Sequence, residues 1–297
     1  MKMLIASTLA FAISVAHADG NSQFRAVDFP GAANTAIYAV NNFGQFVGAE
    51  KDIAGAHHAI FDDGGQLRLL DPAGSIGTSG ESWAFSINNR DDIAGAYRDA
   101  EGTLHGYVHH ANQSITPIDF PDALDTQAFG VNDWGTVIGL YTDAQNNHRA
   151  FVLHNGHYRN IDLPGGIADY GTIALSINDF EEIVGEFTQT VGTLGFGYLQ
   201  RPDGRFTLAT APGSAPQQTY FISINNRQQI LGAFADSAGV QHNFLKTDHE
   251  FRPFDLPARF GATFVSAQTV NDLDEIVGYY LDASNVAHGF VATRTRN

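Results

Sequence analysis

Five places along the chain repeat one set of chemically capable side chains: an Asp, then a His, then a second Asp. The sets are Asp52, His58 and Asp71; Asp99, His105 and Asp119; Asp143, His148 and Asp162; Asp236, His242 and Asp255; and Asp282 and His288 with Asp28. Imidazole and carboxylate are metal donors and acid–base partners, so one reading makes them a ring of metal or substrate ligands. The other makes them hydrogen-bonded clasps inside each repeat. A sixth copy reads Gln189, Phe196 and Thr210, so all three polar groups are lost together, as members of one local network would be. A catalytic site needs one unique constellation, and five separated copies favour structural polar clasps. No metal site is assigned on this basis, and a divalent cation is the one cofactor the donors could take.

These residues hang on a stricter repeat. A segment of the type Ser86 to Asp99, SINNRDDIAGAYRD, returns along the whole chain. Its first Asn falls at Asn41, Asn88, Asn132, Asn178, Asn225 and Asn271, at spacings of 44 to 47 residues, with a glycine in register at Gly48, Gly95, Gly139, Gly185, Gly232 and Gly278. Within a copy, short stretches of apolar alternation are separated by Asn, Asp, Gly and Pro, and helical periodicity is absent. Four strands per copy, repeated, specify an all-β protein: a six-bladed β-propeller with four-stranded blades. The last copy stops after three strands, while QFRAVDFP from Gln23 to Pro30 matches the outer strands that end in Asp119, Asp162 and Asp255. The ring is therefore expected to close by the N-terminal strand completing the last blade. The mid-strand glycine should mark a close approach between neighbouring sheets.

The third strands read HAIF from His58, HGYV from His105, RAFV from Arg149, HNFL from His242 and HGFV from His288. With the Asn-Asn and Val-Gly elements, this pattern resembles the bacterial extracellular HAF-repeat proteins over essentially the whole mature chain. The resemblance implies an exported propeller-like protein and carries no activity with it.

The first residues, MKMLIASTLAFAISVAHA, place one Lys before an apolar run and a small-residue site at Ala16 and Ala18. Residues 1–18 thus read as a signal peptide, and 19–297 as a single propeller domain, secreted or periplasmic. There is no cysteine, so a sizeable core must hold the fold without disulfides. The net charge of −16 argues against nucleic-acid partners, and no later stretch suits membrane insertion.

Residues that break the repeat are the better candidates for function. Loops from each outer strand to the next inner strand should form the channel mouth, with Tyr38, Trp83, Phe129, Tyr170, Tyr220 and Phe260 as ligand-binding candidates. His109, His110, His154 and His157 lie near turns at the opposite end and read as exposed turn residues. The Asn-Asn and Asn-Asp pairs read as turn formers, since Asn bonds its own backbone. Calcium at these turns lacks a DxDxDG-type loop. Glu181 with Glu182, and Asp91 with Asp92, read as solvated turn acids. No catalytic residue is assigned, because no GxSxG, HExxH, P-loop or dinucleotide fingerprint occurs. The expected function is an exported non-catalytic binding or scaffold propeller for a glycan, peptide or protein. The alternative is a secreted hydrolase or lyase working at the mouth.

Overall fold

The computed structural model describes residues 22–70, 81–162, 171–188, 195–215, 218–248 and 250–294. Asp71, Tyr170 and Gln189, with the proposed leader, lie outside them. The described chain is all-β, with 24 strands and one 3-10 turn at Ala258–Phe260. Four sheets have four strands each, and a fifth has eight. The eight-stranded sheet is two four-stranded meanders, 125–160 and 171–209, linked by one parallel pair, His148 with Gly171. The repeats therefore fold as six four-stranded units, numbered here as blades one to six: 34–69, 82–118, 125–160, 171–209, 219–254 and 264–294. In the last blade Ser22–Val27 pairs antiparallel with Ala287–Arg294 and supplies the outer strand, so the two chain ends are joined in one sheet.

Six apolar clusters hold the ring, one at each junction between consecutive blades. Ala39, Val47 and Phe61 meet Ala84, Ile87 and Ile93 between blades one and two. Val27, Val277 and Val291 meet Ile37, Val40 and Phe46 between blades six and one. Burying these faces is the main favourable term of the fold, and alternation along each strand puts an apolar side chain on both sides of the blade.

Each inner strand carries a bulge. Register slips past one residue at Tyr38, Phe85, Phe129, Leu175, Ile222 and Gln268. The slip explains the mid-strand glycine. A Cβ on Gly95 would collide with the backbone carbonyl of Trp83 and the ring of Tyr107, both in its own blade, and the same holds for Gly139 against Gln127 and Phe151. The close approach is thus within the blade rather than between sheets. The contact between blades is made by a different glycine, in the third strand: Gly106 lies against Ala128, Gly197 against Phe221 and Gly289 against Ile37.

Candidate functional site

The turn after each inner strand begins with the repeated Asn. Its Oδ1 accepts from the backbone N–H two and four residues on, as Asn132 does from Trp134 (3.1 Å) and Thr136 (3.0 Å). The left-handed residue of the turn is not the Asn but the one three places later, Gly44, Asp91, Gly135, Glu181, Gln228 or Asp274. That leaves the Asn amide free to reach the next blade. Asn41 Nδ2 donates to the carbonyl of Asn88, Asn88 to Asn132, Asn132 to Asn178, Asn178 to Asn225, Asn225 to Asn271, and Asn271 back to Asn41, at 2.9–3.2 Å. The following residues close a second circle. The backbone N–H of Asn42 donates to the Asn89 side chain, and so on through Asp133, Asp179, Asn226 and Asp272 to Asn42, at 2.7–2.9 Å. The paired Asn and Asp residues are turn formers that also bond blade to blade in two closed belts.

Inside the belts lies an axial recess of about 320 Å³. Its wall is the ring of bulged residues, with Tyr38, Phe85 and Phe129 in contact around one side (centroids 5.8 and 5.0 Å) and Leu175, Ile222 and Gln268 on the other. Burial, with the neighbouring Tyr279 hydroxyl, pushes the Tyr38 phenol up to about 12. Asn42, Asn89, Asp133, Asp179, Asn226 and Asp272 line it towards the turns. The turn tips beyond carry Phe43, Arg90, Trp134, Phe180, Arg227 and Leu273. Three are aromatic and open to solvent: Phe43 at 71%, Trp134 at 62% and Phe180 at 57% exposure. Arg90 sits over the Trp134 ring at 5.6 Å, and Trp134 Nε1 donates to the Asp179 carbonyl (2.9 Å). An aromatic rim above an aromatic-walled recess, separated by a belt of amides and carboxylates, suits a ligand with apolar faces and hydroxyl edges.

This recess opens at the turns, the end opposite the loops expected to form a mouth. Of the six mouth candidates, Tyr38 and Phe129 line it, and Phe85 joins them. Trp83 instead packs on His57 of the preceding blade (5.5 Å). Phe260 packs on Phe24 and Tyr280 beside blade six. Tyr220 is half-buried, its phenol pushed up to about 12 by burial and by Glu186. Tyr170 is outside the described residues. Phe43, Trp134 and Phe180 escaped the sequence reading, although an aromatic in the third place of an Asn turn, where polar residues usually stand, is the signal that marks them.

The Asp-His-Asp sets lie on the other face, where second strands end and third strands begin. Blade two has the full set: His105 Nε2 to Asp99 at 3.1 Å and Nδ1 to Asp119 at 2.9 Å, with the Tyr97 ring stacked on the imidazole. Burial alone would lower the His105 pKa, but the two carboxylates overcome it and the value is raised. In blade six His288 reaches Asp28 at 2.8 Å and Asp282 at 3.6 Å. In blade five His242 pairs with Asp236 at 3.0 Å, and in blade one His58 with Asp52 at 3.6 Å. Among the described residues, Asp255 and Asp162 form no ion pair with their blade's histidine, and Asp71 is not described. Blade three corrects the assignment of His148. Register pairs Arg149, not His148, with Tyr141, so Arg149 Nε takes the carboxylate of Asp143 at 2.7 Å and holds its pKa well below the usual carboxylate range. His148 is shifted one residue to the outside, near Thr142.

The turn histidines and acids are more engaged than their sequence context suggests. His110 bonds Asp92 at 2.7 Å, and His154 bonds Thr136 at 2.7 Å. His109 is buried, and that burial, with Arg68 nearby, lowers its pKa. Glu182 is buried and accepts from Asn178 Nδ2 at 2.9 Å, rather than standing in solvent. Among the described residues no three His, Cys, Asp or Glu side chains are grouped to hold a metal ion, and no helix is long and apolar enough to cross a membrane.

No protein-family profile and no curated protein matches the chain. Its fold is similar to solved lectin structures. AofleA from Arthrobotrys oligospora aligns at TM-score 0.56 with 13% identity, over 92% of this chain and 88% of that one. The Aleuria aurantia lectin, described as a six-bladed β-propeller with a novel mode of fucose recognition, aligns at 0.52 with 12% identity, over 88% and 91%. SapL1 lectin in complex with α-methyl fucoside aligns at 0.53 with 11% identity, over 89% and 96%. The chain is a β-propeller.

Proposed function

We propose that this protein is an exported, non-catalytic glycan-binding propeller of the HAF-repeat type, holding its sugar at the axial recess. The observation that carries the reading is the set of solvent-open aromatics Phe43, Trp134 and Phe180, each next in sequence to a residue that lines the recess, Asn42, Asp133 and Asp179. Exposed aromatic rings placed together on a rigid scaffold are where binding energy concentrates, and Asp133, Asp179 and Asp272 offer acceptors to hydroxyls just below. The lectin propellers of similar shape lend further support. The reading uses no cofactor.

The test is a panel of neutral oligosaccharides screened by array and then by calorimetry. A binder should appear, and Trp134→Ala or Phe180→Ala should weaken it about tenfold or more, the size of a modest aromatic hot spot, with the melting temperature unchanged. A panel without a binder, or rim variants that bind like the parent, overturns the reading. Export is checked separately, by locating the mature N-terminus near Asp19 by mass spectrometry.

One observation favours the enzymatic alternative. Glu186 stands where the other second strands carry Ala, Leu or Tyr, its carboxyl pKa raised by burial and its charge felt by Tyr220. A buried carboxyl whose raised pKa favours its acid form, near a tyrosine, is the minimum of a general-acid site. Glycan cleavage abolished by Glu186→Gln would establish it.

A further inference from the structure

On the same face as the rim, a groove of about 520 Å³ separates blades three and four. Ile177 lines both the groove and the axial recess, so the two are continuous neighbours. The groove contains a polar atom with nothing to bond. Gln200 is 5% exposed, and its Oε1 is buried without a hydrogen-bond partner. Such an orphan costs about 1–3 kcal/mol unless something supplies a donor.

Strand register places Gln200 opposite Ile183, the position that His109 holds in blade two and Leu153 in blade three. His109 Nδ1 is likewise buried without a hydrogen-bond partner. The next residue, Arg201, is the one that reaches Glu182, as His110 reaches Asp92 and His154 reaches Thr136. Gln200 Oε1 lies beneath the groove lining with no donor among the described residues, and a ligand hydroxyl would satisfy it once the side-chain amide turns into the groove.

The walls add charge of the sign that is scarce in this protein. Arg159 and Arg201 line the groove in a chain of net charge −16. Arg159 makes no ion pair among the described residues, and Arg201 makes a long one with Glu182, at 3.7 Å. Guanidinium is the side chain best matched to a carboxylate. Tyr158 supplies an apolar wall, and the exposed Glu181 an acceptor at the edge. Two hydroxyl acceptors, an aromatic wall and an unpaired guanidinium describe a sugar that bears a carboxylate.

We infer that the groove between blades three and four is a subsite for a hexuronate unit, with Arg159 and Arg201 taking its carboxylate and a ring hydroxyl donating to Gln200 Oε1. The inference rests on the glycan reading of the recess only in that one oligosaccharide could occupy both.

The experiment titrates the full mature chain with trigalacturonate and an alginate trimer, and with the uncharged galactotriose and mannotriose. One uronate trimer should bind at least about tenfold more tightly than its neutral counterpart, equivalent to one good charge-assisted contact of about 1.4 kcal/mol. Arg159→Gln should erase that preference while leaving neutral-sugar binding intact. Gln200→Leu should weaken the uronate several-fold and leave the protein as stable or more so, because the orphan acceptor is gone. Equal affinity for charged and neutral trimers, or a preference that survives Arg159→Gln, overturns the subsite. Trp134→Ala reports on the recess alone. Loss of neutral-sugar binding there with the uronate preference intact supports both readings. A uronate preference lost with Arg159 in a protein that binds no neutral sugar supports the groove and rejects the recess.

Discussion

The two faces of the disc use the same repeat to opposite ends. On the clasp face, the Asp-His sets bond within their own blade and vary from blade to blade: three members in blade two, an Arg in blade three. On the turn face, the Asn belts bond between blades without exception around the circle, while the turn tips just beyond them are Phe, Arg, Trp or Leu. Invariance marks what must fit a neighbour on both sides. Variation is tolerated where a residue answers only to its own blade, and it becomes useful where the residue faces solvent. The functional reading therefore belongs to the variable tips above an invariant belt, not to the repeated Asp and His residues.

Four substitutions test that contrast, taken from the largest expected effect. Gly139→Val places a branched side chain against the Gln127 carbonyl and the Phe151 ring, and should cost about 3 kcal/mol or prevent folding. Circular dichroism melts will show whether the within-blade approach is as tight as the geometry states. Asn132→Ala removes one link of the belt and leaves two backbone N–H groups without their acceptor, for about 2 kcal/mol by denaturant unfolding. A near-neutral result would mean that the belt is decoration. Trp134→Ala, two residues away, should change stability by less than about 0.5 kcal/mol and be felt only in binding.

The smallest effect is on the clasp face. His105→Ala should lower the melting temperature modestly, in a pH-dependent way. The raised His105 pKa gives stability that is full below the unfolded value of about 6.5 and fades as pH rises through the folded value. The Asp99 pKa is lowered by the His105 and backbone hydrogen bonds against the opposing effect of burial, so its contribution is present above about 3.9 and lost as pH falls further. Parent and variant should differ most between about pH 4 and 6.5 and converge outside it. A constant gap across pH would remove the ion pair from the account.

Strand number, blade order and the closing strand were legible because period, turn residues and the matching FP, LP ends recur in the sequence. The belts were not, since a turn-forming Asn and an Asn that also bonds the next blade look alike until the left-handed position is located three residues later. His148 was misplaced by one residue because two candidates, His148 and Arg149, stand side by side, and only strand register decides between them. The recess beside the Asn turns was not legible because long irregular loops draw attention, whereas the turns next to it are short and regular. Gln200 could not be found at all from sequence, because the unpartnered state of its buried Oε1 is a property of the packing around it.

The head-to-tail belts have one further consequence. Linear repeat arrays need special end units, since their outermost members lack a neighbour. Here Asn271 donates to Asn41 just as Asn41 donates to Asn88, and each blade stands in the same relation to the next. Such a circle has no outermost member from which to fray. Adding or deleting one blade would require both belts to close at a different circumference.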